Sequence, residues 1–250
     1  MDRGYQYEFS DKGTEMFNAS GRQKKAMTMV NVLSEFIDEP LDTLTVLNVG
    51  GSAGIIDEYL SRYFGQVTGI DIDEKAISYA NQHFRKGNLR FELGDAMGMK
   101  YQPNTFDVVV CSQVYEHVPD AEILMSEIFR VLRPKGTVYF AAGNRIMVNE
   151  PHYNLPFLSV IPRPLAHKYV RMAGKGEFYH EKHFTYWGLK RLVNRFEVTD
   201  YTPLILADPE KYGADYMVKP GSRKQKLAVF VSTHMIWLVP GYIWVLKKPE

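Results

Sequence analysis

Residues 46–54, VLNVGGSAG, followed at once by IIDEYLSRYF, limit this chain more than any other stretch. A β-branched apolar run that breaks into glycines and restarts with a helical period reads as strand, tight turn and helix. Glycine in such a turn lets the backbone approach a ligand without a Cβ clash, and the helix start behind it can aim N–H groups at that ligand. Two ligand classes use turns of this kind. The dinucleotide fingerprint G-x-G-x-x-G would need glycine at 52 and 55, where Ser52 and Ile55 stand. The turn by itself leaves the choice open.

Downstream, strand and helix patterns alternate. Strands read at 44–49, 66–70, 89–93, 106–111, 137–142, 197–204 and 242–247, and helices at 54–64, 74–84, 120–132 and 185–194. An earlier helical face carries Ala26, Met29, Val30, Leu33 and Ile37, with Pro40 after its end. Strands such as FDVVVCS are almost wholly apolar, as expected when helices cover both faces of a sheet. The expected fold is α/β, a doubly wound, mostly parallel Rossmann-like sheet. Residues 1–250 read as a single domain with an N-terminal helical segment (1–40), a lid insertion (144–184) and a second insertion (207–239). The lid stretch holds Pro151, Pro156, Pro162 and Pro164 with many aromatics and histidines. Loops of such length inside a compact domain are usually functional or carry helices of their own.

Bulk composition narrows the partners. Lys+Arg of 30 against Asp+Glu of 29 leaves no electrostatic footprint for nucleic acid. A single cysteine, Cys111, excludes an intrachain disulfide and fits a cytoplasmic compartment, and residues 1–17 are too polar for a signal peptide. Residues 227–246 are apolar enough to raise a membrane span, but Ser232, Thr233 and His234 interrupt them and Pro240-Gly241 reads as a turn. The expectation is a buried or half-buried helix and a terminal strand. Any membrane contact would then be an interfacial face peripheral to the bilayer.

Acids mark the strand ends. Asp71 closes the second strand, where a carboxylate can accept both hydroxyls of a ribose, while Asp73 fits the helix cap. Asp95 ends the third strand, where it can accept from an adenine amine, and CSQVYEHVPD follows the fourth. Polar residues on consecutive strand ends lie on the edge where open α/β sheets bind ligands.

With those residues in view, the run from Val46 to Gly143 resembles the class I S-adenosylmethionine-dependent methyltransferases, in particular the type 11 group acting on small molecules and lipid precursors. VLNVGGSAG, VTGIDIDEKAISYA, ELGDAMGMKYQPNTFDVVVCSQVYEHVPD and IFRVLRPKGTVYFAA carry the resemblance in the family's order. It implies a seven-stranded sheet whose last strand is antiparallel, inserted beside its predecessor, and S-adenosyl-L-methionine as cofactor. It assigns Gly50, Gly51, Ser52 and Gly54 to the methionine end, Asp71 with Ile72 to ribose, and Asp95, Ala96 and Met97 to adenine. Cys111, Ser112 and Gln113 would flank the methionine moiety. The family usually has an acid where Asn48 stands and glycine where Ser52 stands. Asn48 can still accept a hydrogen bond there, but it forfeits the charge.

The acceptor side is read from His117, a candidate general base or loop-ordering residue, and Tyr115, whose hydroxyl is a second catalytic candidate. His152, Tyr153, His180, His183 and Tyr186 are candidate acceptor-pocket residues. The HEKH spacing lacks the i, i+4 separation of zinc-protease histidines and no carboxylate cluster accompanies it, so no metal is expected. The apolar insertions lean towards a lipophilic oxygen or carbon acceptor. A nicotinamide-dependent oxidoreductase and a non-catalytic cofactor- or partner-binding module are the alternatives.

Overall fold

The computed structural model describes residues 17–250, so residues 1–16 of the expected N-terminal segment lie outside the described chain. Helix α1 (Ala19–Phe36) precedes β1 (Thr45–Val49), α2 (Ile55–Leu60), β2 (Gln66–Asp71), α3 (Glu74–His83), β3 (Leu89–Leu93), β4 (Phe106–Ser112), α4 (Ala121–Val131) and β5 (Leu132–Gly143). The next stretch holds β6 (Asn149–Glu150), β7 (Leu155–Pro156) and α5 (Arg163–Met172). It is followed by α6 (Tyr186–Leu192), β8 (Glu197–Asp200), α7 (Thr202–Ala207), α8 (Arg223–His234) and β9 (Gly241–Lys247).

Seven strands form one sheet in the order β3-β2-β1-β4-β5-β9-β8. β1 to β5 pair in parallel, and β9 enters antiparallel between β5 and β8, as the resemblance implies. Side chains alternate with the period of two that a pleated strand imposes. Leu47, Val49, Val109, Cys111, Val138 and Phe140 face α4 and α6. Val46, Val108, Val110, Tyr139 and Ala141 face α1, α2 and α3. Both faces are covered, which explains why the strands read as unbroken apolar runs. β1 has β2 on one side and β4 on the other, so the chain reverses direction across the sheet there, and the crevice outside these strand ends is the expected ligand site.

Two expectations change. The strand expected over 197–204 stops at Asp200, and Thr202–Ala207 is a helix with Pro203 in its first turn, where a missing N–H costs nothing. β5 begins at Leu132, ahead of the expected Thr137. The lid stretch has a small core of its own, packed by Leu155, Leu158, Ala166, Val170 and Tyr179. Helix α8, which enters 227–246, takes the half-buried of the two expected forms: only Ser232 is fully buried, while Leu227 is 63% and Phe230 54% exposed. Among the described residues no helix is long and apolar enough to cross a membrane.

The turn after β1 is held by packing as well as by conformation. Gly54 has φ +78, and a Cβ there would lie 2.6 Å from the Phe91 ring and 2.8 Å from the Ala80 Cβ. Gly54→Ala combines a left-handed strain with overpacking against α3 and β3. It is expected to cost about 1–3 kcal/mol, read as a lowered denaturant midpoint. An unchanged midpoint would mean that the turn relaxes freely.

Candidate active site

Five loops meet on one edge of the sheet, at the C-terminal ends of β1 to β5. Gly50 and Gly51 both donate their amides to Ile70 O at 2.9 Å, Gly54 N donates to Gly51 O, and Ser52 N donates to Asp71 Oδ2 at 2.8 Å. The other Asp71 oxygen accepts from Asp73 N at 2.9 Å. Asp73 caps α3 by accepting from Lys75 N and Ala76 N, which leaves Asp71 at the strand end with lone pairs to spare. Burial pushes the Asp71 carboxyl upward, and the Asp73 and Ser52 amides hold it back.

This wiring bears on the choice of cofactor. A pyrophosphate needs backbone amides left open to cradle it, yet four amides of this turn are consumed inside the protein. A cofactor bearing a ribose and a cationic sulfur makes no such demand. The residues therefore fit S-adenosylmethionine better than a dinucleotide. The Ser52 side chain has a buried hydroxyl with no hydrogen-bond partner among the described residues, on a residue held at φ +55.

Asp95 turns its Oδ1 back to Met97 N at 2.7 Å, fixing the loop after β3 with Ala96 and Met97 half-exposed at the same edge, as is Ile72 after β2. At the end of β4 the three expected residues separate. Ser112 and Gln113 reach the surface, but Cys111 is fully buried, its thiol pushed up by burial, so its side chain is a core group. Val114 crosses over the turn, and a Cβ on Gly50 would lie 2.6 Å from its Cγ2.

An acid that sequence reasoning missed lies under the glycine turn. Asp57, in the first turn of α2, is 0% exposed, with its carboxyl packed against the Cα atoms of Gly51 and Gly69. A Cβ on Gly69 would sit 2.4 Å from Oδ1, so glycine is required there. Burial raises the Asp57 carboxyl to about 7. Asn48 eases its charge from close by without reaching strict hydrogen-bond geometry. The missing acid at position 48 thus has a neighbour on the adjoining helix.

On the acceptor side the lid folds back over the ends of β4 and β5. His117 and His152 meet edge to face at 4.7 Å, and His117 Nδ1 lies 3.8 Å from Glu181 Oε1. Glu150 Oε1 is 2.6 Å from His152 Nδ1 and 3.4 Å from His183 Nε2, and Glu150 Oε2 accepts from Tyr153 N. His183 in turn packs on Gly143, where a Cβ would come within 3.2 Å of the ring. Burial, with the His152 and His183 charges, pushes His117 down to about 3, so its imidazole is neutral at pH 7. Glu116, also buried, is raised by burial.

The expected residues therefore divide. The structure brings His117, His152 and His183 together, with the Tyr153 backbone beside them. His180 stands exposed outside this cluster, against Phe178. Tyr186 packs on Tyr242 and Trp244 and belongs to the core. The Tyr115 hydroxyl donates to Gly143 O at 2.6 Å and accepts from Phe184 N at 3.1 Å, so it is a structural tie rather than an acid or base. Glu116, Glu150 and Glu181 each lie within two residues of a histidine in sequence, but only the folded insertion gathers these separate stretches in one place.

Comparison with known proteins agrees with the edge just described. A family model described as Methyltransferase domain matches residues 47–140. A ubiquinone biosynthesis O-methyltransferase of Coxiella burnetii is 27% identical over 150 residues, covering 58% of this chain and 64% of that one, less than two thirds of its length. A protein of the same name from Albidiferax ferrireducens is 29% identical over 182 residues, covering 68% and 71%. Among solved structures, Haemonchus contortus phosphoethanolamine N-methyltransferase 2 in complex with S-adenosyl-L-methionine superposes with a TM-score of 0.57 at 17% identity. That match covers 98% of this chain and 60% of that one.

The buried Asp57 makes stability depend on pH. Its folded pKa of about 7 lies above the ordinary 3.8. Below about pH 4 the carboxyl is protonated in both states and costs nothing. As pH rises towards 7, the unfolded chain releases the proton while the native state retains it, and stability falls by roughly 2–4 kcal/mol before levelling off. Asp57→Asn should flatten this slope and raise the melting temperature at pH 7.5, with the two proteins converging near pH 4. Parallel melting curves from pH 4 to 8 would contradict the assignment.

Proposed function

We propose that this chain, which belongs with the class I S-adenosylmethionine-dependent methyltransferases, transfers the cofactor's methyl group to a hydroxyl oxygen of a small lipophilic acceptor. The coincidence of the methyltransferase-domain match with the strand ends carrying Gly50, Ser52, Asp71 and Asp95 carries this reading. The two relatives are ubiquinone biosynthesis O-methyltransferases, which favours oxygen over carbon.

The cofactor supplies an activated methyl on a sulfonium, so the protein's task is chiefly alignment and proton removal. We assign Asp71 to the ribose hydroxyls, Asp95, Ala96 and Met97 to adenine, and Ser112 and Gln113 to the methionine end. As the acceptor oxygen bonds to the methyl carbon, the carbon–sulfur bond breaks and the hydroxyl proton must leave. His117, a neutral imidazole whose Nδ1 lies 3.8 Å from Glu181 Oε1, is our candidate to take it, although its burial makes the ring a weak base.

A lipophilic acceptor is supported by the surface beside this cluster. The Asn144 side chain, at the end of β5, donates to Trp237 O at 2.9 Å and Val239 O at 2.8 Å, anchoring the turn after α8. Trp237 stacks on Trp187 at 6.0 Å, and both are exposed, with Leu227, Phe230 and Leu238. Arg223, Lys224 and Lys226 open the same helix. Exposed aromatics and aliphatics beside basic residues suit the boundary of an anionic bilayer.

Calorimetry tests the cofactor half: S-adenosylhomocysteine should bind and NADH should not. Asp71→Asn should weaken that binding by about 1–3 kcal/mol, and NADH binding would sink the reading. His117→Ala should reduce turnover of lipophilic phenols at least tenfold while leaving S-adenosylhomocysteine affinity intact. Normal turnover would return His117 to a loop-ordering role. Flotation with vesicles containing anionic lipid should carry the chain, and a Trp187→Ser/Trp237→Ser variant should stay behind. Equal flotation of both proteins would reject the docking face.

A further inference from the structure

We propose that Glu150, His152 and His183 form a binding site for one divalent transition-metal cation, with zinc, cobalt and iron(II) the class it suits. Their donor atoms all lie within 4.8 Å of one another. Glu150 Oε1 is placed between the two imidazoles, 2.6 Å from one and 3.4 Å from the other. A cation sits about 2 Å from each donor, so on binding the two histidines would draw together and the Glu150–His152 hydrogen bond would give way to the metal.

The residue types select the metal. Two imidazoles and one carboxylate suit first-row transition ions, whereas calcium and magnesium favour all-oxygen shells. Burial is asymmetric: Glu150 and the His183 side chain are closed off, while the His152 side chain is 22% exposed. One side of the site is therefore fixed by protein and the other is open to water or a ligand, as in metal sites that keep coordination positions free.

A second observation points the same way. Glu116 is 1% exposed, and neither of its carboxylate oxygens has a hydrogen-bond partner among the described residues. Glu116 forms no ion pair with lysine or arginine among the described residues, whereas Glu150 already bonds His152 and the Tyr153 amide. Burying carboxylates without a strong counter-charge is costly. A divalent cation between the histidines supplies one, with Glu116 as an outer carboxylate. The His183 Nδ1 is also buried without a partner, which leaves that ring held through its Nε2 side.

The site needs only these three side chains and does not rest on the methyl-transfer reading. The test uses the full chain, freed of metal with a chelator, then titrated with cobalt(II) followed by visible absorption and with zinc by calorimetry. One equivalent of cobalt should bind with a ligand-field spectrum, and zinc should displace it and raise the melting temperature. His152→Ala and His183→Ala should each weaken binding by more than about tenfold, whereas His180→Ala, three residues from His183 and outside the cluster, should bind as the parent does. If His183→Ala does not fold, the solvent-facing His152→Ala decides. No saturable cobalt binding, or binding that survives His152→Ala, overturns the proposal. S-adenosylhomocysteine affinity measured on the same samples reports separately on the cofactor site.

Discussion

One phenol holds the acceptor side together. Tyr115 leaves the end of β4, donates to Gly143 O at the end of β5, and accepts from Phe184 N where the long insertion returns. The neighbouring strands are then stitched further: Arg145 N donates to Phe184 O, and Lys182 N to Glu116 O. Without these ties the insertion would have its own small core but no fixed relation to the sheet. A buried hydroxyl that both donates and accepts is costly to remove, because its two backbone partners would be left unsatisfied. The facing of His117 by His152 and the seating of His183 on Gly143 follow from this tie.

The cofactor side is organised by a different constraint, the placement of negative charge under a tight turn. A carboxylate at position 48 is usual in the resembling family, and Asn48 looks in the sequence like a plain loss of charge. The structure puts Asp57 against the underside of the same turn. Two buried carboxylates side by side would repel each other and each would resist ionisation. An amide at 48 is thus the compatible partner for an acid arriving from α2. The charge is relocated, and at neutral pH it is shared with a proton.

The sheet was legible because its signals are local: alternating strand and helix periods, glycines in the first turn, and Asp73 and Thr185 at helix starts. Both of the latter cap as their positions suggest. Where reading failed, the deciding information was local but weak, or it was not local at all. Pro203 was available as a mark of a helix start, yet the apolar TPLIL run favoured a strand. The apolar composition of α8 left its burial between full and half, because hydrophobicity alone does not say which element covers a helix. The HEKH stretch lies outside any helix and lacks the i, i+4 spacing, and the carboxylates around its histidines are dispersed in sequence: Glu181 within it, Glu150 thirty-odd residues upstream of His183 and Glu116 on another loop.

These failures share a location. The ends of β1, β2 and β3 form the part that sequence reasoning described best, with short loops whose polar residues bond to neighbours a few positions away. The ends of β4 and β5 receive residues from an insertion of some forty positions, and their chemistry depends on contacts such as His183 with Gly143 and Asn144 with Trp237. A sheet of this kind can therefore keep one cofactor edge while the insertion alone redefines what faces it. Here that insertion contributes imidazoles and buried carboxylates, and the chain beyond it an exposed pair of stacked tryptophans. The chemistry that distinguishes this chain from others with the same sheet is concentrated in residues 144–239.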